Sequence, residues 1–484
     1  MILSYIFLII LISIIIISIL DKQDVNSIFK VSFLASCLSF LLSCFLVINF
    51  DSNCPYFQHL VTYSLNFDFF NFYLSFALDG VSLFFFSLSC LLLLLTLLFI
   101  WEEPKIQEYC VTLLVLLLLL LLVFSTLDLL IFYISFEAIL IPMYLMIGIW
   151  GSRERKIRAI YLFFFYTLVG SLCMLLGLLY LYYKFGTLNF ELLISSKLTF
   201  SEQYWLWLAF FLSFSSKIPL FPFHIWLPEA HVEAPTVGSV LLAGILLKLG
   251  VYGFLRYSIC LFPDASIFFS PLVYLLSILG IIYASMNAIR QTDLKRIIAY
   301  SSVAHMNLIT LGIFSFNILG LEGSILQSLS HGFVSGGMFF LIGILYNRYH
   351  SRSLFYYGGL VHMMPIFSTF FLIFTLANIA LPGTSSFVGE FLILLGIYKI
   401  NFFISIFATL GVILCGGYSL WLCNRILFGN LKTNYTLIFK DLEFREFSIL
   451  IPLLLLILLT GVYPGIFLNS IHASINNLFL ITLS

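Results

Sequence analysis

Four charged side chains, Glu137, Lys217, Lys248 and Glu390, stand inside long apolar stretches, and His305 and His331 share that setting. An ion at the centre of a bilayer costs at least ~2.5–3.5 kcal/mol on insertion scales, so each is a candidate for function. Glu137 lies nine residues beyond Asp128, which is ~13.5 Å along a helix. Lys248 is the thirteenth residue of its apolar run and His305 the eleventh of another, so three helices bring a titratable group to similar depth. The chemistry these types support is proton relay. Burial disfavours the charged form of Glu and of Lys alike, and a neighbouring opposite charge restores it. A Glu–Lys pair whose separation or hydration changes can therefore load and release a proton. Imidazole already titrates near the working pH. The competing reading is structural: static ion pairs tying helices together, or histidines hydrogen-bonding across them.

Two of the charges sit beside helix breakers. Lys217 falls in Ser215-Ser216-Lys217-Ile218-Pro219, with Pro222 close behind, and Glu390 follows Leu381-Pro382-Gly383-Thr384-Ser385-Ser386. An interior proline removes a backbone bond and breaks or kinks a helix. One interrupted helix in each half of a chain points to an inverted-repeat transporter.

The elements that must position these residues follow from composition. The chain has 484 residues, 62% hydrophobic and 9% charged, against about 25% charged in soluble domains. Its apolar runs are continuous and about 20 residues long, the length of a membrane-spanning helix. Fourteen spans are expected, near 1–20, 28–50, 79–100, 109–124, 127–150, 158–183, 204–222, 236–260, 266–288, 295–317, 324–346, 367–397, 401–428 and 447–469. The fold class is thus an all-α polytopic membrane protein. The breaks then lie in spans seven and twelve, which implies a five-helix repeat over spans four to eight (109–260) and nine to thirteen (266–428). An odd repeat in one membrane is inverted. Residues 1–108 form an N-terminal group of three helices, and 429–484 carry the fourteenth. The loop from Asp51 to Leu78 is expected to hold a short interfacial helix.

Sixteen of the 22 lysines and arginines fall in loops after odd-numbered spans; Lys184, Lys197, Arg256 and Lys399 fall on the other side, and Lys217 and Lys248 within spans. The positive-inside rule puts the sixteen in the matrix or cytoplasm and both termini on the opposite side. A missed span would swap every later loop and erase the asymmetry.

Several chemistries find no support. The net charge is zero, with no basic excess to suggest nucleic acid. Nine cysteines form no Cys-x-x-Cys pair and read as small apolar residues within helices. The stretch His224-Ile-Trp-Leu-Pro-Glu-Ala-His231-Val-Glu233 carries Pro228 and is followed by Pro235, which favours a structured loop over helical zinc spacing. No dinucleotide or Walker motif is present, so no NADH or ATP site is expected on this chain. The apolar start lacks a basic leader and reads as a retained first span. Heavy use of Phe, Leu, Ile and Tyr suits an AT-rich genome and hence organelle encoding.

The motifs carrying the charges also resemble a known family. Leu127-Asp-Leu-Leu-Ile-Phe-Tyr-Ile-Ser-Phe-Glu137, the His224–Thr236 stretch leading to Leu247-Lys248-Leu249-Gly250, Asp293-Leu-Lys-Arg-Ile-Ile-Ala-Tyr-Ser-Ser302 with His305, and Leu381-Pro-Gly-Thr-Ser-Ser-Phe-Val-Gly-Glu390 are similar to the antiporter-like subunits of respiratory complex I. The similarity runs from about Phe70 to Tyr463 and is nearest to plant and algal mitochondrial members; Glu390 stands where some sister subunits carry Lys. The resemblance implies a proton-translocating subunit of the membrane arm in the mitochondrial inner membrane. It makes Glu137 and Lys217 the coupling pair, Lys248 the central relay, and Glu390 the group nearest the exit or neighbouring subunit, with His305 on the polar axis between them; His331 joins the relay candidates. It implies that FMN, iron–sulfur clusters, NADH and ubiquinone belong to other subunits, and that the partners are other membrane-arm subunits and lipids. A bacterial-type multi-subunit cation/proton antiporter shares the same fold and charge pattern and is the alternative. A scaffold that has lost transport is opposed by the retained charges.

Overall fold

A computed structural model describes residues 2–67, 70–100, 105–432 and 440–483. The parts of the expected spans and loops at Met1, 68–69, 101–104, 433–439 and Ser484 lie outside the described residues. Among the described residues, eleven helices are continuous, apolar and long enough to cross a membrane: α1 Ile2–Ile19, α2 Val25–Ile48, α3 Gly80–Phe99, α4 Ile106–Ser125, α5 Leu129–Trp150, α6 Lys156–Phe185, α8 Thr236–Leu261, α9 Pro263–Arg290, α11 Ile318–Tyr349, α13 Phe402–Leu427 and α14 Phe444–Val462. The other three spans are α7, split into Phe200–Lys217 (α7a) and Trp226–Glu233 (α7b); α10, Leu294–Ile313; and α12, split into Pro365–Asn378 (α12a) and Ser385–Tyr398 (α12b). A last helix, α15, covers Gly465–Leu483.

Burial sorts the helices. α8 and α11 are enclosed on every side, whereas α1, α2 and α14 bury only about a third of their length or less. The enclosed helices carry Lys248 and His331. Helices hydrophobic all round but bearing single polar groups belong at the centre of a bundle, where lipid cannot reach them.

Both expected breaks are present. α7a ends at Lys217 because Pro219 and Pro222 cannot continue it, and Leu220 N–H turns back to the Ser215 carbonyl. α12a ends where Ala380 (φ 65°) and Gly383 (φ 94°) take left-handed backbone. Glycine meets that requirement at position 383 without strain. Thr384 Oγ1 and Ser386 Oγ then donate to the carbonyls of Leu381 and Ala377 freed by the break.

The inversion is visible in the backbone. Asp128 caps α5, and its flanking residues pair with the strand-like turn after α6: Leu129 N–H to Leu188 O and Phe190 N–H to Leu127 O. Asp293 caps α10 in the same way, with Leu294 N–H to Arg352 O and Leu354 N–H to Thr292 O after α11. The first device lies on the less basic side and the second on the basic side.

Four expectations are corrected. Residues 51–78 hold a β-hairpin rather than an interfacial helix: β1 Gln58–Phe67 pairs antiparallel with β2 Phe70–Leu78, in register Val61↔Phe76 to Phe67↔Phe70, with an irregularity near His59. Eight of the 19 strand residues are Phe, Tyr, Thr or Val, and such side chains favour a pleated surface over a helix. The stretch 226–233 is helical rather than loop; Pro228 sits in its first turn, where the missing N–H costs nothing. The region after 463 is a helix too, and α15 packs across the less basic ends of α3, α8 and α11. Finally, Arg256, Lys295 and Arg352, counted among loop cations, are buried.

Candidate functional site

Lys248 is the most enclosed of the charges. Two successive widened turns, Leu242–Leu246 and Phe254–Ser258, flank it on α8, and such π-turns displace carbonyls from the helical ladder. The ammonium donates to one of them, Ala243 O, at 2.5 Å, and reaches His331 Nδ1 on α11 at 2.8 Å. That reach requires close helices. A Cβ on Gly332 would lie 3.1 Å from the Gly244 carbonyl, so the glycine at 332 lets α8 and α11 approach, while Gly244 makes room for Leu92 of α3.

From His331 the polar contacts continue across the bundle. Its ring centroid lies 5.9 Å from that of His305 on α10, and its Nε2 has no hydrogen-bond partner among the described residues. His305 Nδ1 stands 3.1 Å from Glu390 Oε1 on α12b, just past the break. Gln327 Nε2 donates to the same oxygen at 3.0 Å, and Ser330 donates to Gln327 Oε1. The Cys415 thiol lies 3.7 Å from His305 Nε2 and 2.9 Å from Tyr418 Oη. Four helices thus contribute to one buried line: Lys248, His331, His305, Glu390.

Glu137 and Lys217 lie together but do not join that line by a direct contact among the described residues. Lys217 Nζ faces Phe136, 3.4 Å from its carbonyl and 4.4 Å from its ring centroid. Glu137 is the next residue on α5. Its Oε1 has no hydrogen-bond partner among the described residues, and it interacts with Lys217 through charge rather than as a contact ion pair. An ammonium over an aromatic face beside a half-satisfied carboxylate is a pair held apart, whose separation can change. Asn307 on α10 ties this region to the line: its Nδ2 donates to Pro219 O in the α7 break, two residues beyond His305.

The six expected residues therefore fall into two groups, Glu137 with Lys217 and the four-residue line. Sequence reasoning missed several others. Gln327 lies four residues before His331 on α11 and shares its face, a helical spacing that could have found it. Cys415, read as a small apolar residue, is a polar neighbour of His305. Arg256 forms a buried ion pair with Asp79, the cap of α3, between the rings of Phe57 and Phe190. On the basic side His231, Glu233, Lys295 and Arg352 are all buried; Lys295 donates to Ala234 O at 2.8 Å. The signal for these was weak, because a cation beside a predicted loop normally reaches water.

Comparisons with known proteins give the family and the fold. The family model described as NADH:quinone oxidoreductase/Mrp antiporter, TM, matches residues 126–415. The NADH-ubiquinone oxidoreductase chain 4 of Chondrus crispus is 54% identical over 450 residues, 92% of this chain and 91% of that one. The chain 4 of Marchantia polymorpha is 51% identical over 466 residues, 96% and 94% of the two chains. A chain in the structure of respiratory complex I from Thermus thermophilus with bound NADH superposes with a TM-score of 0.88 at 32% identity, covering 100% of both. A chain of the archaeal membrane-bound sulfane sulfur reductase shares the fold, with a TM-score of 0.84 at 22% identity over 96% of this chain and 76% of that one. On these matches the chain belongs to the NADH:quinone oxidoreductase/Mrp antiporter transmembrane family, in its NADH-ubiquinone oxidoreductase chain 4 branch.

Proposed function

We propose that this chain is a membrane-arm subunit of respiratory complex I in the mitochondrial inner membrane, encoded in the organelle. It translocates protons while NADH oxidation and ubiquinone reduction proceed on other subunits, which carry the FMN and iron–sulfur clusters. Its partners are the neighbouring membrane-arm subunits and lipids. The observation that carries the reading is the buried line from Lys248 through His331 at 2.8 Å to His305 and Glu390 at 3.1 Å. A static core has no need of a lysine, two histidines and a glutamate aligned across four helices.

The chemistry runs through the imidazoles. Lys248 Nζ gives a proton to His331 Nδ1, and His331 releases one from Nε2 toward His305, a gap that one water can bridge. His305 Nδ1 passes a proton to the Glu390 carboxylate, which Gln327 holds in place. Glu137 and Lys217 act as the switch that gates the line: when Glu137 draws Lys217 away from Phe136, the field at the α7 break changes. Relatives named chain 4, at about half identity over nine-tenths of their length, favour this assignment over a cation/proton antiporter, which the family description also covers.

The test is Glu137→Gln and Lys217→Ala in the assembled complex, with proton pumping and NADH:ubiquinone turnover measured together. Each variant lowers both, and the double variant is little worse than either, as for residues acting as a unit. A normally assembled Lys217→Ala complex that pumps at the wild-type rate leaves the pair as a structural tie and rejects the mechanism.

A further inference from the structure

α11 carries more than His331 and Gln327. Glu322, four residues in from its less basic end, is buried, with its side chain 9% exposed. Its Oε1 lies 2.5 Å from Nδ1 of His472 on α15, whose side chain is 56% exposed. On the far edge of that ring, Asn476 Nδ2 lies 3.0 Å from His472 Nε2. One imidazole therefore separates a buried carboxylate from the surface, with one nitrogen turned to each.

Glu322 lies five residues before Gln327 on α11, ~7.5 Å nearer the less basic face. Gln327 in turn holds Glu390. We propose that Glu322 and His472 form the release gate for protons leaving the Glu390 end of the line, with α15 as the element that carries the gate to the less basic surface. The inference rests on the proton-translocation reading above.

The hydrogen-bond inventory suits such a gate. With Nδ1–H donating to Glu322, Nε2 accepts from Asn476 Nδ2. When Glu322 is protonated it donates to Nδ1 and Nε2 carries the ring hydrogen, so Asn476 needs to present an acceptor until Glu322 delivers its proton to Nδ1 and Nε2 releases its own. Its Oδ1 is buried without a partner among the described residues, and a half-turn of the amide supplies it. The ring can thus take a proton at Nδ1 and lose one from Nε2 without leaving either nitrogen unsatisfied. Several charged groups on the packed elements already have partners. Asp79 and Arg256 at the ends of α3 and α8 are paired with each other. Asp264 on α9 is bonded to Gln203. On α12b, Glu390 is held by His305 and Gln327. On α14, Arg445 and Glu446 lie at the opposite face, where Glu446 meets Arg348.

The experiment uses the assembled complex in sealed inner-membrane vesicles, with turnover and protons released per NADH followed as the pH on the release side is varied. Glu322→Gln and His472→Gln keep hydrogen-bonding groups but cannot pass a proton. Each is expected to lower protons released per NADH and to flatten the dependence of turnover on release-side pH; the double variant matches the singles. His472 is more than half exposed, so its replacement keeps the test readable where Glu322→Gln fails to assemble. Lys248→Ala serves as the reference. If Lys248→Ala stops pumping while His472→Gln retains the wild-type ratio and pH profile, the gate is wrong and the relay stands. If Lys248→Ala itself pumps normally, the relay reading fails with it.

Discussion

His331 is the residue whose replacement separates a relay from a structural tie most sharply. Lys248 is fully enclosed and has two acceptors, Ala243 O at 2.5 Å and His331 Nδ1 at 2.8 Å. His331→Leu deletes the second and leaves the ammonium with one carbonyl. A hydrogen bond to a charged group contributes about 1.5–3 kcal/mol. At about 1.4 kcal/mol per factor of ten, the protonated form of the relay is weakened by roughly 10- to 100-fold. Coupled NADH:ubiquinone turnover in the assembled complex should fall by that order, because a stalled relay stops the reaction that drives it. His331→Gln restores an acceptor, since its amide oxygen can take the Lys248 bond. It should recover assembly and stability but not pumping, as an amide does not exchange protons between two nitrogens. The assay is proton uptake and turnover in vesicles, normalised to assembled complex. A His331→Gln enzyme that pumps like wild type would show that the bond, not the imidazole, is what matters, and would refute the reasoning.

Three further outcomes follow from the same contacts. Asp79→Asn keeps the α3 cap but strips Arg256 of its counter-charge, which should cost about 3–5 kcal/mol and lower the amount of complex on a native gel; adding Arg256→Met should recover most of it. Gln327→Leu leaves Glu390 without a donor that bonds it at 3.0 Å, a buried loss of about 1–3 kcal/mol, so turnover should drop while subunit levels measured by immunoblot stay near normal. Gly332→Ala would put a Cβ 3.0 Å from Leu88 Cδ2 and 3.1 Å from the Gly244 carbonyl, forcing α8 and α11 apart. It should cost about 1–3 kcal/mol and slow turnover through a longer Lys248–His331 contact, read by structure determination of the variant complex.

The membrane character, the span order and the two breaks are written locally. Twenty-residue apolar runs, Pro219 with Pro222 and Pro382-Gly383 are each decided by backbone and solvation physics within a few residues, so the sequence was enough for them. The Lys/Arg asymmetry sets an expected orientation, because a positive-inside bias has to hold across the loops together. The intramembrane charges were legible too, since each is costly in lipid whatever it touches. What those charges touch was not legible. Whether Glu137 grips Lys217 or stands off while Lys217 rests on Phe136 depends on how α5 and α7a pack. Lys248 meeting His331 depends on Gly332 of α11 passing close to the Gly244 carbonyl of α8, far away in the chain. Gln327 and Cys415 look like ordinary helix residues until α12b and α10 arrive beside them. Arg256 looked like a loop cation until the cap of α3, distant in sequence, reached it. Local sequence sets which groups are buried, because burial follows from the length and polarity of a segment. Only the tertiary structure decides partners, because a contact between helices is set by crossing positions and close packing that no single segment encodes.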